Sequence, residues 1–173
     1  MINVTAKTNI ENLSELYHTD YYTWAMTNAQ LLKEGKLGEV DYINLAEEVK
    51  DLGKSEYKEL RSYLANLLSH LYKWDNQPDL RTKSWINTIA NSIRGISSIL
   101  EENPGLKYPS TFNKAFISAW KDARYIISDD ININIKLIPF DCPYSFNKII
   151  QKASDVASDR IDESDISFLN NIF

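Results

Sequence analysis

Glu47, Glu48, Glu56 and His70 are the residues whose types could do acid–base or metal chemistry, and all four fall in one stretch of helical periodicity. A carboxylate next to an imidazole can pass a proton or hold a divalent ion, provided the two groups reach one point in space. In a helix Glu48 and Glu56 stand about two turns apart, and His70 lies roughly 21 Å beyond Glu56 at about 1.5 Å per residue. They cannot share a ligand through that helix alone. A metal or acid–base site would need a second protomer or neighbouring helices, with Gln30, Arg94 or Arg124 as partners for a buried carboxylate. The simpler reading makes Glu56 and His70 hydrogen-bonded polar groups that fix helix register.

A second group is Lys73, Trp74, Gln77, Arg81, Lys83, Trp85 and Arg94. Bases interleaved with aromatics can hold phosphate and stack on nucleobases. Asp75 and Asp79 lie among them, however, and two Trp bracketing a helix–helix turn also make a hydrophobic cap on the end of a bundle. Cys142, beside Pro143 and with no His near it in sequence, reads as a small packed residue and not as a nucleophile.

Other chemistries lack their residues. Gly53-Lys54-Ser55 has no upstream Gly and sits inside a helical pattern, so it is not a phosphate-binding loop. The requirement of di-metal carboxylate bundles for Glu-x-x-His on two helices is not met, and no His-Glu-x-x-His occurs. With only two His, any site needing three per chain is excluded. We expect no cofactor and no bound metal.

The elements that must position these residues follow from apolar period and proline spacing. Pro78, Pro104, Pro109, Pro139 and Pro143 fall between or at the ends of periodic segments. One helix starts at Asp20 as N-cap and stops at Gly35. A long second helix starts near Asp41 and reaches Lys73 or Trp74, because the stripe Leu45, Val49, Leu52, Glu56, Leu60, Tyr63, Leu67, His70 and Trp74 continues through Gly53. A third runs from about Ser84 to Glu101 and a fourth from about Ser110 through Ile127. The stretch from 131 to 135, alternating Asn and Ile, has no strand partner and reads as an extended connector. A short last helix spans Phe146 to about Lys152. The fold class is therefore all-α, an antiparallel bundle of four main helices with a short C-terminal helix. One domain over 1–152 is expected, followed by an acidic segment, 153–173, whose order the pattern leaves open.

The chain has 173 residues, enough for one core, and a single Cys, which excludes an internal disulfide and fits a reducing compartment. Its N-terminus lacks a basic start followed by an apolar run, and nowhere do about eighteen apolar residues occur in a row. A cytoplasmic protein with no membrane contact is expected. Net charge is -5, with the acids concentrated at the two ends and the middle mildly basic. Scattered bases of this kind are usually the solvated faces of helices.

Leu16-Tyr17, Asp20, Tyr22, Trp24, Gln30-Leu31-Leu32, Asn44-Leu45-Ala46-Glu47-Glu48 and Asp51-Leu52-Gly53-Lys54-Ser55-Glu56 come in an order that resembles the bacterial family DUF29. The likeness continues through Leu67-Leu68, His70-Leu71, Lys73-Trp74, Gln77-Pro78, Ser84-Trp85, Thr88-Ile89, Asn103-Pro104 and Cys142-Pro143-Tyr144, covering about residues 16–150. Gly105 replaces the Ser usual after Asn-Pro. The resemblance implies an all-helical soluble protein, met most often in cyanobacteria and other bacteria, and carries no catalytic role to transfer. The expected function is that of a non-enzymatic helical protein acting through protein–protein interaction or homo-oligomerisation. Two alternatives stand: a nucleic-acid-associated or antitoxin-like regulator using residues 73–94, with nucleic acid disfavoured by the net charge, and a metal or acid–base site around Glu48, Glu56 and His70.

Overall fold

The computed structural model of the protein describes residues 13–172. Among these the regular elements are helices and there is no strand. They are α1 (13–19), α2 (Tyr21–Lys33), α3 (Tyr42–Asn76), α4 (Lys83–Glu102), α5 (Pro109–Asp130), α6 (Phe146–Ala157) and α7 (Glu163–Asn170), with short 3-10 turns between them.

The helix ends are set by local chemistry. The Asp20 carboxylate accepts from the Thr23 N–H at 3.1 Å, capping α2. Gly35, at φ +72, closes the same helix: its N–H reaches the Leu32 carbonyl and that of Lys36 the Leu31 carbonyl, the paired bonds of a left-handed glycine stop. Thr82, Ser145 and Asp162 cap α4, α6 and α7, and Pro109 stands in the first turn of α5, where its missing N–H costs nothing. Helix α3 runs unbroken through Gly53 for 35 residues.

The backbone forms two compact units, the first ending at Lys54 and the second beginning at Ser55. In the first, Leu13, Trp24 and Val40 are the buried apolar residues among those described, and Asn28 and Asp41 are buried as well. The second holds the main core: Leu60, Leu64, Leu67, Leu68 and Leu71 of α3, Ile89, Ile93, Ile96 and Leu100 of α4, Phe112, Trp120 and Ile127 of α5, and Ile149 and Ile150 of α6. Here α4 packs on both α6 and α7. At one crossing Tyr63 lies so close to Gly95 that an added Cβ would meet its ring at 2.5 Å, so α3 and α4 approach there only because residue 95 has no side chain.

Three details differ from the sequence reading. The bundle core of the second unit uses α6 where the sequence reading placed α2, which belongs to the first unit. Helix α6 continues to Ala157, and the acidic segment after it folds into α7, with Leu169 fully buried; charged residues face outward while one apolar face packs. The connector after α5 holds a 3-10 turn, Ile135–Leu137, instead of an extended run. It is preceded by Asn132 at φ 50, a left-handed conformation that Asn tolerates, and Asn134 accepts from the Lys136 N–H.

Candidate functional site

The polar residues of the second unit gather where α3 ends and α4 begins. Lys73, one turn from the end of α3, is only 2% exposed, and its ammonium pairs with Asp130 of α5 at 2.5 Å while lying 5.1 Å from the Trp85 ring centroid. An ion pair and an aromatic face together offset the cost of taking the charge out of water. Arg81 stacks on Trp74 at 4.7 Å and donates from Nε to the Trp74 carbonyl at 3.0 Å, fixing the turn between the helices. Gln77 gives its backbone N–H to the Lys73 carbonyl. Lys83 opens α4 on the surface, and Arg94, about three turns on, is exposed and donates to Asn91.

His70 sits beside Lys73, half-buried, with its ring edge-on to Trp85. Nδ1 lies 2.9 Å from the Asn66 carbonyl, an acceptor only, so Nδ1 carries the proton and Nε2 the lone pair. The hydrogen-bond partner is one turn back on the same helix, a carbonyl four residues earlier. Burial pushes the imidazole below its ordinary value and the Lys73 charge adds to this, against the pull of Asn66 and Asp130.

The loop carrying Cys142-Pro143-Tyr144 docks on the same end of the bundle. Trp120 Nε1 donates to the Phe140 carbonyl at 3.1 Å and Arg124 to the Ile135 carbonyl at 3.0 Å, which hold the loop down. The Tyr144 hydroxyl then donates to Asp75 at 2.7 Å, and Lys152 pairs with the other oxygen of Asp75 at 2.8 Å. Burial pushes both the Tyr144 hydroxyl and the Cys142 thiol upward, so the thiol is held in its unreactive form.

Glu56 lies apart from this end. It accepts from Asn103 at 3.3 Å and lines a cleft of about 90 Å³ with Glu59, Tyr63 and Glu102. Among the described residues no group of three or more His, Cys, Asp or Glu side chains is placed to hold a metal ion, and no helix is long and apolar enough to cross a membrane.

In the first unit Glu48 is a clamp. Its two oxygens accept from the Tyr17 and Tyr21 hydroxyls at 2.7 and 2.8 Å, and the hydrogen bond to Glu48 is the main reason the Tyr17 phenol is pushed up to about 12. Glu47 is exposed and paired with Lys50 at 3.0 Å. Beneath them Trp24 Nε1 donates to Asp41 at 3.0 Å, Asn44 donates to the same oxygen at 2.7 Å, and the Asp41 N–H reaches the Asn28 side chain at 2.9 Å. Burial works to raise the Asp41 carboxyl, but the hydrogen bonds from Asn44, Trp24 and Ser14 win and hold it below the usual range.

Of the candidates read from sequence, the structure thus brings His70, Lys73, Gln77 and Arg81 together, and places Glu47 and Glu48, Glu56 and Arg94 elsewhere. Sequence reasoning missed Asp130, which holds Lys73, and read Asp75 only as an acid within the basic group, not as the acceptor of Tyr144. Their only signal was the presence of buried-pattern Lys and Tyr in need of a partner.

The first unit has another feature. Tyr21, Tyr22, Met26, Leu32, Leu37, Tyr42, Ile43, Val49 and Leu52 are all exposed, against three buried apolar residues among those described in this unit. Residues 16–153 match the family described as Domain of unknown function DUF29, while no curated protein and no solved structure matches the chain. With most of its length matched, the chain belongs to the DUF29 family.

Proposed function

We infer that the protein is non-enzymatic and works by docking on another protein surface, with the first unit as its contact element. The observation that carries this is the exposed set from Tyr21 to Leu52: among the described residues of the first unit, nine large apolar side chains stand outside a core of three. Monomeric proteins scatter such residues singly, and a concentration of them marks a binding surface. The polar groups point the same way. Lys73, Arg81 and Glu48 are each committed to a partner within the chain, which leaves few groups to handle a substrate or a phosphate backbone. A nucleic-acid site would need Lys73 and Arg81 available, and a shared acid–base site would need Glu56 and His70 on one ligand. We place the protein in a bacterial cytoplasm, a reducing compartment that suits the single free thiol of Cys142.

The test is a photo-crosslinking amino acid at Val49 in expressing cells, with the exposed Lys114 as control position. A discrete adduct at 49 that Leu52→Lys removes, and none at 114, is expected; no adduct at 49 overturns the reading.

A further inference from the structure

In the second unit a cleft of about 260 Å³ lies between α3 and α5, lined by Lys58, Arg61, Ser62, Asn66 and Asp122 with Ala65 and Ile126 as its apolar part. Lys58, Ser62 and Asn66 follow one another at four-residue intervals, so they stand in a row along α3. Among the described residues no hydrogen-bond or ion-pair partner takes up any of these three side chains. Glu59, the acid next to Lys58 in sequence, lines the separate cleft of Glu56 and Glu102. Asp122 is the one carboxylate among the described lining residues, and it is already engaged: Arg61 donates to its two oxygens from Nε and Nη2, both at 2.6 Å. That fork holds the guanidinium in place and cancels the carboxylate charge, while the Nη1 donors are left over. The cleft therefore carries one uncompensated positive charge, Lys58, beside donors that the chain itself does not use.

We propose that this cleft binds a small phosphate monoester whose carbon portion carries hydroxyl groups. Lys58 and Ser62 are one turn apart with Arg61 between them, and together they supply a charge, a hydroxyl and guanidinium N–H groups to the phosphate oxygens. Asn66 stands about 12 Å from Lys58 along the helix axis, where its amide meets a hydroxyl at the other end of the ligand, and Ala65 and Ile126 line the space between. The volume is just under the roughly 300–1,000 Å³ of sites that take drug-sized ligands, which suits a phosphorylated compound of a few carbons and excludes a nucleotide. Lys58 is not among the groups committed within the chain, so the site is independent of the first unit and of its docking role.

Titration of the ¹⁵N-labelled full chain by NMR tests this, with inorganic phosphate, glycerol phosphate or acetate at about 0.1 to 20 mM. Ionic strength is held constant with sodium chloride at pH 7.5, above the second phosphate pKa of about 6. Saturable shifts confined to residues 58–66 and 122–126 are expected with both phosphates, tighter with glycerol phosphate, and none with acetate. Lys58→Gln should weaken both phosphates by about tenfold, the size of one charge-assisted hydrogen bond, while Lys114→Gln at an exposed site on α5 changes nothing. Asn66→Ala should weaken glycerol phosphate alone. Unchanged circular dichroism establishes that each variant is folded. Shifts that never saturate or that spread over the surface lysines, unchanged binding in Lys58→Gln, or equal binding of acetate each overturns the site. An Asn66→Ala effect equal on the two phosphates overturns the placing of the carbon portion.

Discussion

Removing the exposed partner of the Lys73–Asp130 pair should harm the protein more than removing the buried one. Lys73 is 2% exposed and Asp130 46%. Asp130→Ala leaves an ammonium inside the bundle with only the Trp85 face to compensate. Breaking a fully buried pair this way costs about 3–5 kcal/mol; water can enter where the half-exposed carboxylate stood, so about 2–4 kcal/mol is expected here. Lys73→Met keeps most of the packed stem volume, removes the desolvated charge and leaves Asp130 to the solvent, for a loss below about 1 kcal/mol. In the Lys73→Met background the cost of Asp130→Ala should almost vanish, since no charge is left to strand. Urea melts followed by helical circular dichroism at pH 7, compared at equal slopes, measure all three values. Lys73→Met costing as much as Asp130→Ala would refute the argument, and would mean that the pair contributes net stability beyond its desolvation.

The other predictions concern single contacts. Because the folded His70 binds its proton less readily than the unfolded one, the unfolded chain takes up more protons below about pH 6.5; stability is full above that value and falls as the pH drops, and His70→Phe should flatten the slope between pH 7 and 5 in melts taken at each pH. Gly95→Ala should destabilise by about 1–3 kcal/mol in thermal or urea melts despite the better helix propensity of Ala, because the new methyl meets the Tyr63 ring; a neutral outcome would show that Tyr63 moves aside without cost. Gly53→Ala on the Leu52→Lys background should do the opposite and gain up to about 1 kcal/mol, as its position is open. Tyr144→Phe should cost about 1–2 kcal/mol by taking the donor from Asp75, while Lys152 still pairs with that carboxylate.

Much of the fold was legible because it depends on local rules. Asp20, Gly35 and Pro109 mark helix boundaries by capping, left-handed backbone and missing N–H, and each is decided within four residues. The continuation of α3 through Gly53 could be read from the stripe on either side. The acidic C-terminal segment hid α7 because an eight-residue helix shows barely two turns of period. The site was less legible. Lys73 stood out as a base near two Trp, and basic–aromatic pattern alone cannot tell a surface that meets phosphate from a cation folded inward onto a carboxylate 57 positions away. Glu48 drew attention as a possible acid, yet its partners are the two tyrosines, Tyr17 and Tyr21, on the preceding helices. In each case the deciding residue is distant in sequence and carries no pattern of its own.

The same limit applies to α3, and there it yields information. Periodicity states that a helix has an apolar face; it does not state what covers the face. From Leu60 to Leu71 the cover is the rest of the second unit, and Leu60, Leu64, Leu67, Leu68 and Leu71 are fully buried. From Tyr42 to Leu52 the stripe has the same spacing, and the first unit places its own buried residues, Trp24 and Val40, elsewhere. Hydrophobic burial is the main favourable term available to a helix, so a face left in water contributes little to folding and raises the tendency to associate. Exposure along that half is what the proposed docking role requires, whereas a purely structural helix would carry polar residues at Tyr42, Val49 and Leu52 without loss. Replacing those three by Gln, Lys and Gln is the direct comparison: a chain with unchanged stability and no association would show that the residues serve contact with another molecule and not the fold.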